Sequence, residues 1–194
     1  VQLRQDCVSD AADSFQLAVL FDPGCADAFA ELALALARDE KIEMAHAPLD
    51  SAMAVAGDEA NGWCTCARAC KALGDMNRAG ICFENGLRLT RSADILSQLG
   101  YVRFLQGEYA AAVQAYEGAL EMDKSHVPAL HNYGLLKLET GCSQSALELF
   151  EHAYSGRASV ESMACIGHAL RDLGRLDEAI ASYRRALASD PSFG

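Results

Sequence analysis

The chain has 194 residues, 51% of them apolar and 22% charged, which is enough to bury a large core and excludes a disordered or fibrous protein. Its 16 basic residues against 27 acidic leave a net charge of −11, a sign that repels phosphate backbones and argues against a nucleic-acid partner. No apolar run approaches the roughly 20 residues that span a bilayer, so no direct membrane insertion is expected, and eight cysteines without paired spacing fit a reducing compartment, the cytoplasm or equally an organelle or cilium.

In chain order, residues 1–25 read as a partial unit whose segment Asp10 to Pro23, DAADSFQLAVLFDP, forms a helix that Asp22-Pro23 ends. This end holds much of the charge: residues 1–59 carry 3 basic and 12 acidic side chains, a net of −9, and read as a solvated acidic face. Five full units follow at 26–59, 60–92, 93–126, 127–159 and 160–193, each expected as two antiparallel helices. The pattern is plainest in the last three, within 95–123, 129–154 and 162–191, where an apolar-Gly pair is followed by glycine seven residues on, then alanine, an aromatic four later and alanine three after that. The first glycines are Gly100, Gly134 and Gly167.

This pattern resembles the tetratricopeptide repeat family, whose 34-residue unit runs Trp-x2-Leu-Gly-x2-Tyr, Ala-x3-Phe, Pro. The resemblance covers essentially the whole chain and implies an all-α, right-handed α-solenoid of helix pairs. Full units then begin at Ala26, Ala60, Ala93, Val127 and Val160. Position 20 is alanine in all five (Ala45, Ala79, Ala112, Ala146, Ala179), and position 24 is Leu49, Phe83, Tyr116, Phe150 and Tyr183. Small residues at position 8, namely Ala33, Ala67, Gly100, Gly134 and Gly167, let the two backbones approach. Gly74, Gly107, Gly141 and Gly174 at position 15 suit a left-handed turn; Glu40 stands there in the first full unit, where a looser turn is expected.

Units 60–92 and 127–159 are one residue short, which places a deletion in the loop between units. Asp190-Pro191 marks the last helix end. In this register Val1 falls at position 10, partway through a first helix, and the chain stops just after a second one, so a piece of a longer protein is expected.

The stretch WCTCARAC, from Trp63 to Cys70, looks like a ligand cluster, but Cys64 and Cys66 point about 200° apart on one helix and cannot close on a single zinc. Cys66 and Cys70 read as small core residues, and Cys7, Cys25, Cys82, Cys142 and Cys165 as isolated thiols. His46, His126 and His152 read as surface or loop residues. His131 and His168 fall at positions 5 and 9, on the concave side in the resembled family, where a shared ligand or zinc is one reading. With no serine-histidine-acid set, phosphate loop or HExxH helix, no catalytic activity and no cofactor is expected.

The resemblance implies a protein-interaction scaffold or adaptor that holds a partner peptide or helix in a groove lined by positions 2, 5, 6, 9, 12 and 13. The groove residues are Cys64, Arg68, Tyr101, Phe104, His131, Asn132, Leu135, Leu138 and His168, with Tyr101, Phe104, Leu135 and Leu138 as an apolar strip. Chaperone C-terminal tails are disfavoured, because the lysine and asparagine set that grips their carboxylate is missing. Two alternatives are a fixed subunit of a large assembly, ciliary or organellar, and the substrate-recruiting arm of an enzyme whose catalytic domain lies outside this chain.

Overall fold

The computed structural model describes residues 2–190, with side chains from Asp10 onward; the expected stop at Pro191 and the Cys7 thiol lie outside the described residues. Eleven α-helices and no strand are found among them: α1 (Gln2–Phe21), α2 (Ala26–Arg38), α3 (Ile42–Val55), α4 (Ala60–Ala72), α5 (Met76–Leu89), α6 (Ala93–Leu105), α7 (Tyr109–Met122), α8 (Val127–Glu139), α9 (Ser143–Gly156), α10 (Val160–Asp172) and α11 (Leu176–Ser189). They belong to two compact units, Val1–Arg91 and Ser92–Gly194.

The turn inside each helix pair is one hydrogen-bonded device used five times. In four of them a glycine takes positive φ, +77° at Gly74 and Gly107, +74° at Gly141 and +76° at Gly174, and the amide after it reaches back five residues, as Asp75 N does to Cys70 O at 2.9 Å. Glu40 was expected to loosen the equivalent turn, but it adopts φ of +60° and Lys41 N still donates to Leu36 O at 2.9 Å. The turn is imposed by both flanking helices, so the residue there takes on the left-handed strain. Glu40→Gly is therefore expected to raise stability by about 1 kcal/mol in a denaturation series, whereas Gly107→Ala is expected to lower it by a similar amount.

Between pairs, residues 90–92 and 157–159 connect helices where residues 56–59 and 123–126 do so elsewhere, so the short units have lost a linker residue and no helix residue. The start of the chain departs from expectation: α1 is one continuous helix of 20 residues, with no turn at Asp6, which takes position 15 in this register. Asp22-Pro23 follows directly after its end.

In the first unit, α2 (ADAFAELALALAR) is enclosed by α1, α3 and α4, which explains the unbroken buried run from Leu32 to Ala37. Phe15, Val19 and Leu73 pack on the cluster of Ala12, Leu32, Ala35, Leu36, Ala37 and Ala45. In the second unit the aromatic at position 24 is the keystone of each pair. Tyr116 and Phe150 are fully buried, and their rings lie so close to Gly100 and Gly134 that an added Cβ would come within 2.7 and 2.6 Å. Tyr116 also stacks on Tyr133 of the following pair, with centroids 5.7 Å apart and planes 26° apart. Burying each such ring contributes about 2 to 3 kcal/mol.

Candidate functional site

The first-helix face was the expected binding surface, and each unit presents its own. In the first, Arg68 on α4 is anchored: its Nη1 donates to Glu31 Oε1 on α2 at 3.0 Å, with both side chains partly exposed. Cys64 is half-buried one turn earlier, and burial followed by the nearby Asp27 carboxylate pushes its thiol pKa up. One Asp27 oxygen is buried without a hydrogen-bond partner. The result is a mixed, acid-rich patch in which Arg68 is already held by the protein itself.

WCTCARAC resolves as expected in its core half. Cys66 and Cys70 are fully buried, and Trp63 Nε1 donates to Gly57 O at 2.9 Å, fastening α4 to the loop before it. Cys82, expected to be isolated, instead joins them: it is fully buried on α5 and its thiol hydrogen-bonds that of Cys70. That bond raises the pKa of Cys82 and draws that of Cys70 down against burial, while burial pushes Cys66 up to about 12. No group of three histidine, cysteine or acidic side chains placed to hold a metal ion occurs among the described residues. We expect a thiol reagent at about pH 8 to modify exposed Cys142 ahead of Cys66, Cys70 and Cys82, which burial leaves unlabelled until denaturant is added, as mass spectrometry of timed samples would show.

In the second unit the expected apolar strip is divided between two cores. Phe104 packs on the cluster of Tyr116, Tyr133 and Leu136, whereas Leu135 and Leu138 pack on that of Leu147, Phe150 and Leu170. Tyr101 and Leu135 at position 9 and Phe104 and Leu138 at position 12 are each half-buried, so these side chains form a floor more than a free apolar surface.

The polar candidates stand beside an opening. Val127, Pro128, His131 and Asn132 at the start of α8, with Arg157, Ser159, Glu161 and Ser162 across the next loop, line a pocket of about 390 Å³. Ser159 Oγ accepts from Ser162 N at 3.1 Å and so fixes the start of α10. His131 rests on the Phe150 ring at 5.7 Å, and burial lowers its pKa although Glu161 opposes this. His168 is held elsewhere: its Nδ1 lies 3.0 Å from the Tyr183 hydroxyl. The two histidines have different partners, which does not favour the shared-ligand reading.

His126 corrects the sequence reading most directly. It lies in a loop as expected, but it is buried: Nδ1 accepts from Ala129 N at 3.2 Å, and Nε2 meets Asp94 Oδ1 at 2.9 Å. One imidazole therefore caps α8 and ties it to α6. Its place directly before Val127-Pro128, where a helix cap belongs, was the available signal. His46 and His152 are exposed as expected.

Among the described residues no helix is long and apolar enough to cross a membrane. Two stretches match the family descriptions "Tetratricopeptide repeat", over residues 93–126, and "TPR repeat", over residues 167–193. Protein FlbA of Caulobacter vibrioides is 32% identical over 94 residues, which are 48% of this chain and only 16% of that protein. Among solved structures, YrrB, described as a TPR protein with an unusual peptide-binding site, aligns with a TM-score of 0.64 at 19% identity over 94% of this chain and 95% of its own. BtubC from P. vanneervenii aligns at 0.76 and 16% identity over 100% and 93%, and a chain of the Cut9-Hcn1 hetero-tetramer of APC/C at 0.76 and 16% over 96% and 37%. Repeat matches over residues 93–126 and 167–193, and helix pairs turned alike in both units, show that this chain carries tetratricopeptide repeats in an all-α fold of the solenoid class, which supports a protein-interaction scaffold.

Proposed function

We propose that the chain acts without catalysis, by holding a segment of a partner protein on its first-helix face, with the principal contacts in residues 93–190. The pocket of about 390 Å³ at the starts of α8 and α10 carries this reading. It offers the Asn132 amide and the His131 imidazole from α8 and, across the next loop, the Arg157 guanidinium and the Glu161 carboxylate, a set suited to backbone amides and to side chains of either charge. Tyr101 and His168 extend the polar edge, and the half-buried Phe104, Leu135 and Leu138 give an apolar floor. Cys64 and Arg68 serve as contacts on the first unit. YrrB, which shares the fold, is described as binding peptide, and a chain of the Cut9-Hcn1 assembly shows the same fold in a multi-subunit complex.

The test is affinity capture followed by quantitative mass spectrometry with wild-type chain and the double variant His131→Ala, Asn132→Ala. We expect the variant to melt at the wild-type temperature and to lose its captured partner by roughly tenfold or more. An unchanged partner set would overturn groove binding and favour the architectural reading, in which other faces make the contacts.

A further inference from the structure

Helix α11 carries an apolar stripe whose two central positions are covered by the next helix where they recur on α7 and α9. Leu176, Ile180, Tyr183 and Leu187 follow the spacing i, i+4, i+7, i+11, one face of a helix, and Leu176, Ile180 and Leu187 are 59%, 47% and 48% exposed. The residues equivalent to Ile180 and Tyr183 on α9 are Leu147 and Phe150, which are 2% and 0% exposed because α10 packs over them. On α7 the pair is Val113 and Tyr116, packed on by α8. The outer face of α11 thus continues an interface that the unit already makes twice.

Charge distinguishes what fits this face. Position 25, at the edge of the stripe, is acidic in the other full repeats, as Asp50, Glu84, Glu117 and Glu151, and Glu117 accepts from the Tyr133 hydroxyl of the following helix at 3.0 Å. On α11 this position is Arg184, and seven residues earlier, on the same edge, stands Asp177; both are exposed. A helix built like α8 would meet a base where it otherwise meets an acid. A second α11 laid antiparallel would place Asp177 against Arg184 and, by two-fold symmetry, Arg184 against Asp177, with Ile180 opposite Tyr183 and Leu176 opposite Leu187.

We propose that the outer face of α11 is a self-association surface on which a second copy of this chain docks its own α11 antiparallel. The interface is isologous, so it closes at a dimer. The stripe is only about 16 Å long, which makes the dimer weak and concentration-dependent.

Sedimentation or light scattering of the 194-residue chain from about 10 to about 500 µM tests this. The apparent mass should rise from 20.7 kDa toward about twice that value, and Ile180→Glu should stay monomeric with unchanged helical content. Asp177→Arg and Arg184→Asp should each weaken association roughly tenfold, and the double reversal should return it to within about threefold of wild type. A monomer at every concentration would overturn the proposal and leave the face to a different helix. A dimer that survives Ile180→Glu, or a double reversal no stronger than the single ones, would place any association elsewhere.

Discussion

Replacing Gly134 with alanine is expected to lower stability by about 2 kcal/mol, although alanine is the better helix former by about 1 kcal/mol. The new methyl would sit 2.6 Å from Phe150 Cε1, and Phe150 is fully enclosed by Leu147, Leu170 and the rest of its cluster, so the ring has no free volume into which to retreat. The helices must part instead, loosening contacts along α8 and α9. Gly118→Ala supplies the contrast: its Cβ would meet Leu96 Cδ1 at 3.5 Å, an ordinary contact, so the propensity gain survives and stability should rise by roughly 0.5 to 1 kcal/mol. Paired denaturant titrations followed by circular dichroism would show opposite signs for the same chemical change. Equal signs would mean that ring and glycine are not in tight contact.

Tyr116 should separate volume from polarity. Tyr116→Ala is expected to cost about 3 to 5 kcal/mol, because it empties a fully buried site that touches Gly100 and stacks on Tyr133. Tyr116→Phe keeps the ring and removes a buried hydroxyl that has no hydrogen-bond partner, so stability should stay level or rise by up to about 1 kcal/mol. Burial and the nearby Tyr101 both push the hydroxyl's pKa up, so it stays protonated and desolvated through the neutral range. A loss of more than about 1 kcal/mol on Tyr116→Phe would point to a partner for that hydroxyl.

Much of this architecture was legible because it follows from period and residue size. Alanine at every position 20 and a large side chain at position 24 specified the helix pairs, and the missing residue in two units fell in the linkers as expected. Glu40 was misjudged because residue preference was weighed without the helices on both sides that fix the turn. His126 escaped notice because a cap is a relation between a side chain and an amide, and Asp94 is 32 residues away in the chain. The apolar strip was read from correct positions, but exposure depends on how far the adjacent helix leans over positions 9 and 12, which side-chain type does not encode. Cys82 was set apart by its sequence distance from the others; only the fold of α5 onto α4 brings it to Cys70.

Those three enclosed thiols give the first unit a built-in clock. Cys66, Cys70 and Cys82 react only when the α4 and α5 hairpin comes apart, so their alkylation rate in excess reagent reads the frequency or the free energy of that opening, depending on whether trapping is faster or slower than reclosure. Exposed Cys142 in the second unit supplies the intrinsic chemical rate in the same sample. A single mass-spectrometric time course on the unlabelled natural sequence can therefore report how often this hairpin breathes, and how far a bound partner slows it.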